Sequence, residues 1–301
     1  MTHRRAVALM LLVTLLWSTA GVVTRHLDSA RSFEVTFWRS AFNALALAVA
    51  LTALRGRSLW LGIARAPWTV WASGACWGVM YTAFMVAITL TSVANVLVTM
   101  SVGPLFTALL SRIVLRHRLA ARTWAAIGVA GAGIAWMFVN EARASTPAHL
   151  LGIVVALGVP VAAAINWTLL QHRHHGSEPA DGDDQEMMSA VLIGALGSAA
   201  VTLWLALPFQ ATVHDLTLLA FLGVFQLALP CLLVVRLTHV LPGAEIALLG
   251  LLEVVLGVAW AWLGAGEQPS AATLAGGSLV IGALVANQVL AMRTPGTTST
   301  A

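Results

Sequence analysis

The chain has 301 residues, of which 59% are hydrophobic and only 9% are charged. Because about a quarter of the residues in a soluble domain are charged, this composition excludes an ordinary soluble globular protein. The formal net charge of +4 arises from 16 arginines, with no lysine in the chain. These arginines lie in short loops and form no basic domain, so they do not predict binding to nucleic acid.

Long apolar segments follow one another along the chain, each close to the length of about 20 residues that a helix needs to cross a bilayer. Ten such segments lie at residues 7–27, 33–54, 67–90, 93–115, 123–139, 150–171, 186–207, 216–236, 242–263 and 272–292. They are continuous runs, unlike the short alternating segments of a membrane barrel. We therefore predict an all-α polytopic membrane protein with ten transmembrane helices. The first segment follows Arg4 and Arg5 as in a secretory signal, but its length favours a retained helix.

The first five segments recur as five more at an offset of about 150 residues. Since five is an odd number, the second set must enter the bilayer inverted relative to the first. Two inverted halves around a site near the midplane are typical of secondary transporters. We predict one five-helix repeat in residues 1–141, a second, inverted repeat in residues 142–293 and a disordered tail in residues 294–301.

The distribution of arginines predicts the orientation of the helices. If the N-terminus is cytoplasmic, 12 arginines lie on the cytoplasmic side, and only Arg25, Arg31, Arg39 and Arg143 lie toward the other side. This bias satisfies the positive-inside rule. Both termini are then predicted to be cytoplasmic.

The longest loop, at residues 172–185, lies in the middle of the chain, between the sixth and seventh segments. It contains His172, His174 and His175, followed by several acidic residues. Such a cluster is able to bind a metal ion, but a solvated linker is the simpler interpretation. We predict neither a metal site nor a cofactor.

Glu253 is the most unusual polar residue in the apolar segments. It lies about eleven residues into the ninth segment, or roughly 16 Å at helical rise, which places it close to the midplane. A charge at this depth costs at least about 2.5 kcal/mol, so such residues usually face a cavity and have a function. Burial favours the protonated carboxyl, which makes Glu253 a candidate proton carrier. The alternative is a protonated side chain that only joins two helices.

Arg39 is a basic residue that lies inside an apolar segment, the second one. It is a candidate for attracting an anionic group of a solute or for bracing an outer gate, and we favour a structural or gating role over direct binding. A side chain that reaches the lipid headgroups is the alternative.

Three prolines inside segments, Pro104, Pro160 and Pro230, each remove a backbone hydrogen bond and permit a kink. We predict hinges at these positions, with ordinary curved packing as the alternative.

Several aromatic and polar side chains also lie deep in the segments, where they either line a cavity or pack between helices. With Glu253, the candidate cavity residues are Trp17, Trp38, Asn43, Trp77, Tyr81, Ser101, Asn166 and Gln226. Other tryptophans lie near segment ends, as in an interfacial belt. Glycines mark the fifth segment at 128, 131 and 133 and the tenth at 276, 277 and 282, and they predict close helix contacts.

Several short motifs, taken in order, resemble the EamA family of the drug/metabolite transporter superfamily over residues 7–292. In the second half they are Leu252-Glu253-Val254, Leu263-Gly264-Ala265-Gly266-Glu267 and Gly276-Gly277. In the first half they are Leu16-Trp17-Ser18, Phe37-Trp38-Arg39 and Pro104. The chain departs from the family pattern at Val254, where the family has proline, and at Ser18, where it has glycine.

The resemblance implies a multi-pass carrier of a bacterial-type inner membrane, with a small-molecule solute and the bilayer as its partners. Such carriers usually export small metabolites such as amino acids by alternating access, and the deep aromatic residues favour the aromatic amino-acid exporter branch. A broad-specificity drug efflux carrier is the alternative. An enzyme is not expected, since no Ser–His pair or metal-spaced set lies at depth. Uniport and proton antiport both stay open, as do the solute and the oligomeric state.

Overall fold

The structure is a computed structural model that describes residues 2–30, 32–56, 58–114, 120–144, 146–174, 183–237, 240–241 and 243–293. Within these ranges the chain is helical and contains no strand. Residues 175–182 of the longest loop, with His175, Glu178 and Asp181, lie outside the described residues. The same holds for the predicted tail, so the structure does not test the metal-binding alternative for the linker.

The described helices follow the predicted segments in order. In the first half they are α1 (His3–Thr24), α2 (Ser32–Arg55), α3 (Ser58–Ala64), α4 (Trp68–Leu90), α5 (Val93–Met100), α6 (Gly103–Val114) and α7 (Ala121–Ala144). In the second half they are α8 (Pro147–Ala156), α9 (Gly158–His174), α10 (Asp183–Ala206), α11 (Val213–Phe221), a π-helix (Leu222–Ala228), α12 (Leu229–Leu237), α13 (Gly243–Ala265) and α14 (Ala271–Arg293).

Eight helical stretches of the described chain are long and apolar enough to cross a membrane. Two shorter apolar stretches, Leu249–Ala265 and Ala271–Asn287, lie in α13 and α14. The prediction of an all-α polytopic membrane protein is therefore confirmed. Tryptophans predicted near the segment ends have exposed side chains, as lipid contact requires. These are Trp60, Trp68, Trp71, Trp124, Trp136, Trp204 and Trp262.

Three of the predicted segments are not single α-helices. The fourth is interrupted after Met100 and the sixth at Leu157, while the eighth passes through the π-helix. Each interruption is followed by a proline in the first turn of the next helix: Pro104 in α6, Pro160 in α9 and Pro230 in α12. In α6 and α9, the first turn tolerates proline because the N–H groups at a helix start lack helical partners. In α12, Pro230 directly follows the π-helix, to which the N–H group of Leu229 donates a hydrogen bond. The interruptions explain why the prolines do not break the helices that contain them.

The two halves interlock. The most extensive helix contacts join α10 to α4 and α2, α14 to α7, and α1 to α13, and each of these pairs combines a helix from each half. A site enclosed by these helices is therefore built from both halves.

The glycines divide into two groups. A Cβ on Gly133 would lie 2.7 Å from the carbonyl oxygen of Gly276, and a Cβ on Gly276 would lie 2.5 Å from that of Gly133. These two glycines thus bring α7 and α14 into backbone contact, and Gly277 packs against Val98. The predicted packing role is wrong for Gly128, Gly131 and Gly282, because they are exposed and a Cβ would meet no atom within 4 Å.

Candidate functional site

A cavity of about 150 Å³, here called the central cavity, lies between the two halves. Side chains from α1, α2, α4, the π-helix, α12 and α13 form most of its wall. Its lining residues are Trp17, Arg39, Trp77, Met80, Tyr81, Phe84, Met100, Val159, Gln226, Leu227, Cys231 and Glu253. The wall is therefore largely aromatic and apolar, with one arginine, one glutamine and one glutamate.

Six residues singled out from the sequence meet at this cavity: Trp17, Arg39, Trp77, Tyr81, Gln226 and Glu253. Trp77 and Tyr81 come from one face of α4, and their ring centroids are 5.6 Å apart. Arg39, in the first third of α2, lies in the cavity wall and is 2% exposed.

Four predicted cavity residues lie elsewhere. Trp38 packs in an aromatic cluster that includes Phe209, because its neighbour Arg39 takes the helix face directed at the cavity. Ser101 donates a hydrogen bond of 2.7 Å to the carbonyl of Val98 in the preceding turn. Asn166 accepts one of 2.6 Å from Ser73 and so joins α9 to α4. Asn43 is completely buried and does not border the cavity.

Gln226 holds Arg39 in place. The Nη2 and Nε atoms of Arg39 donate to Gln226 Oε1 over 2.9 and 3.3 Å, and Gln226 Nε2 donates to the carbonyl of Trp17 over 3.2 Å. The guanidinium also lies 5.5 Å from the centre of the Phe84 ring, within cation–π range. Its Nη1 has no hydrogen-bond partner among the described residues. Among the described residues, this buried cation is thus paired with a neutral amide and a ring.

The π-helix places Gln226 beside Arg39. Three residues earlier, Gly223 lies so close to α2 that a Cβ would approach Phe42 Cβ to 2.6 Å and the carbonyl oxygen of Arg39 to 2.8 Å. Only glycine fits there, and its absence of a side chain lets the π-helix contact α2. π-helices are rare and frequently occur at functional sites. The sequence interpretation did not identify Gly223, although a glycine shortly before a deep glutamine was an available signal.

Glu253 borders the central cavity from α13, which belongs to the other half. Glu253 and Arg39 border the same cavity, but the two do not form an ion pair in the described structure. None of the hydrogen bonds described involves the carboxyl group of Glu253. The cavity therefore contains a basic and an acidic group that are not paired with each other.

Hydrogen bonds of two charged side chains join several helices at the end of the bundle where α1 terminates. Arg25 donates to Glu267 over 2.7 Å and to the carbonyls of Ile88 and Thr91 over 2.8 and 2.7 Å. Glu267 also accepts a hydrogen bond of 2.6 Å from the backbone N–H of Val93. Gly266, with φ of 66°, ends α13 in the left-handed conformation and directs Glu267 toward these partners. We call this group the Arg25–Glu267 latch.

A second set of contacts at the same end fastens the loop between α1 and α2. Asp215 accepts hydrogen bonds from the backbone N–H groups of residues 28, 29, 30 and 212. Glu34 accepts from the N–H groups of Gln210 and Ala211. Asp28, His214 and Asp215 are close enough to hold a metal ion, but the carboxylate of Asp215 is already occupied by these N–H groups. The cluster is therefore best explained as a structural fastening.

Replacing Glu267 with glutamine is expected to destabilise the protein by about 1–3 kcal/mol, because it removes the charge from hydrogen bonds that are partly buried. The measurement is the midpoint of thermal unfolding in detergent. Asp28→Asn is the matched control, since its partner His214 is 54% exposed and such surface pairs contribute little. Equal midpoints for the two variants would show that the latch adds no stability.

The comparisons with known proteins agree with this architecture. Residues 4–139 and residues 150–287 each match the model of the EamA-like transporter family. No curated protein matches the chain. Among solved structures, a crystal structure of a protein superposes with a TM-score of 0.63, at 20% identity, over 97% of this chain and 99% of that chain. At this identity the likeness shows a shared fold and carries no information about the solute.

Proposed function

Because the chain belongs to the EamA-like transporter family, it is a multi-pass membrane transporter of the drug/metabolite transporter superfamily, and we propose that it exports amino acids. The solutes are aromatic or other neutral amino acids and related small metabolites. They pass through the central cavity, which opens alternately to each side as the two halves move against each other. In this proposal ten helices cross the inner membrane of a bacterium, with both termini in the cytoplasm.

The observation that carries this proposal is the pairing of Arg39 in the central cavity. A charged side chain inside a membrane protein is costly and usually marks a solute or ion pathway. Arg39 is buried between the two halves, its protein acceptor is a neutral amide, and one of its nitrogens has no partner among the described residues. The Nη1 donor of this guanidinium therefore stays available to an acceptor on the solute.

The cavity favours a small amphipathic solute over a large drug. Its volume of about 150 Å³ equals that of about five water molecules, whereas pockets for drug-sized ligands span about 300–1,000 Å³. Trp17, Trp77, Tyr81 and Phe84 provide an apolar wall for a side chain. A large side chain then requires the halves to separate, as alternating access implies. The helix interruptions before Pro104, Pro160 and Pro230 are the hinge points that we propose for this motion.

The test is counterflow of radiolabelled amino acids into liposomes that contain the purified protein, without an imposed ion gradient. We expect uptake of a few neutral amino acids, in competition with others of similar size. Movement of hydrophobic cations without any movement of amino acids would replace the proposal with broad-specificity drug efflux. If neither class of solute moved, the proposed export function would be wrong.

We further propose that a proton exchanges with the solute and that Glu253 carries it. A pH gradient should then change the transport rate of the wild-type protein and have no effect on Glu253→Gln, which cannot release a proton. Glu267→Gln, the same change of carboxyl to amide outside the cavity, should keep the response to the gradient. An unaltered response in Glu253→Gln would remove this residue from the coupling mechanism.

A further inference from the structure

Two groups of opposite charge type face the central cavity from opposite halves of the chain. Arg39 lies on α2 and Glu253 on α13, and both border the cavity. They form no ion pair with each other in the described part of the chain. A solute bound in this cavity would therefore lie against both side chains.

Each group lacks the partner that its chemistry requires. The Nη1 of Arg39 is buried without a hydrogen bond from the described residues, although buried donors in native proteins are nearly always paired. The Glu253 carboxyl takes part in none of the described hydrogen bonds. Arg39 thus lacks an anionic acceptor, and Glu253 lacks a cationic donor, among the described residues.

We infer that Arg39 and Glu253 are the two ends of a zwitterion site, at which Arg39 binds the carboxylate of an amino acid and Glu253 binds its ammonium group. A planar guanidinium matches the two oxygens of a carboxylate, and both contacts are strengthened by the low dielectric of the cavity. A bound zwitterion supplies one charge of each sign, so neither group of the cavity wall is left uncompensated. The inference rests on the proposed function and adds which end of the solute each half recognises.

Gln226 is the positioning residue of this site. As a neutral acceptor it fixes the guanidinium through Nη2 and Nε and leaves its positive charge available to the solute. A carboxylate at position 226 would instead form an ion pair with Arg39 and compete with the solute. The neutral amide therefore suits a protein that has to release its solute as well as bind it.

The experiment compares three competitors of the counterflow of labelled phenylalanine, or of the neutral amino acid with the fastest counterflow. They are the amino acid itself, its amide, which lacks the carboxylate, and its deaminated acid, which lacks the ammonium group. In the wild-type protein, we expect the amino acid to compete at a concentration on the order of a hundredfold lower than either analogue. Arg39→Gln should lose the preference over the amide, and Glu253→Gln the preference over the deaminated acid.

A second variant separates binding from folding, because Arg39 is also part of the helix packing. Gln226→Glu keeps the guanidinium and gives it an ionised partner, so it should lose the preference over the amide. The ion pair with Arg39 offsets the lost hydrogen bond to the Trp17 carbonyl, so this variant should unfold at a higher temperature than Gln226→Leu. Equal competition by all three solutes in the wild type, or unchanged preferences in all three variants, would overturn the inference and leave amino-acid export standing. A protein that moves no amino acid would overturn both.

Discussion

Replacing Gly133 with leucine is expected to prevent α7 from packing on α14 and to destabilise the protein by at least about 3 kcal/mol. The Cβ of any residue at this position would lie 2.7 Å from the backbone carbonyl oxygen of Gly276, and no side-chain rotation relieves a clash with backbone. Helix association in lipid depends on such close packing, since there is little hydrophobic driving force between helices. The measurements are the yield of folded protein in the membrane and the midpoint of thermal unfolding in detergent.

Gly128→Leu is the matched control on the same helix. A Cβ at Gly128 meets no atom within 4 Å, so this change should leave both the yield and the midpoint close to the wild-type values. If Gly133→Leu and Gly128→Leu behaved alike, the contact between α7 and α14 would not be the one that the structure shows.

Replacing Gln226 with leucine is the second change with a large expected effect. It removes the acceptor of two hydrogen bonds from a buried guanidinium, and hydrogen bonds to charged groups contribute about 1.5–3 kcal/mol each. It also removes the contact with the carbonyl of Trp17 that joins α1 to the π-helix. We expect a fall in the initial rate of counterflow of more than about tenfold, together with a lower midpoint of thermal unfolding.

The neighbouring residue provides the control for this variant. Phe225 lies on the same π-helix but is 51% exposed on the outside of the bundle. Phe225→Leu changes the size of a side chain next to Gln226 without touching Arg39, so transport should stay near the wild-type rate. Full transport by Gln226→Leu would mean that the position of the guanidinium does not matter for the transport cycle.

The membrane-spanning architecture could be predicted because it depends on local composition. A run of about 20 apolar residues indicates a crossing whatever surrounds it. Eight helical stretches of the described chain are long and apolar enough to cross a membrane, and two shorter apolar stretches lie in the last two segments. The position of Glu253 near the middle of α13 also follows from counting along one helix. These inferences need no knowledge of how the helices are arranged around each other.

The rotation of each helix could not be predicted in this way. Trp38 and Arg39 are adjacent, so their side chains point about 100° apart and only one of them faces the cavity. Which one does so is decided by packing, in particular by the approach of Gly223 to α2. The same reason separates Gly133, which contacts α14, from Gly128, which faces open space.

Contacts between residues far apart along the chain also could not be predicted from the sequence. Arg25 and Glu267 are 242 residues apart, and Arg39 and Gln226 are 187 apart. No periodic pattern within a single helix relates such positions. The inverted repeat does not relate them either, because these contacts join residues that do not occupy equivalent positions in the two halves. The π-helix could not be predicted either, since its residues are as apolar as those of the α-helices beside it.

The most direct test of the central claim uses a cysteine that the protein already has. Cys231 borders the central cavity and is free, as is Cys76 on α4. In a Cys76→Ala variant reconstituted in liposomes, the reaction rate of Cys231 with a membrane-impermeant thiol reagent would be measured from each side, with and without the amino acid that shows counterflow. Alternating access predicts reaction from both sides and protection by the solute on both. Reaction from one side only, or rates that the solute does not change, would contradict a solute cavity that opens to each side in turn.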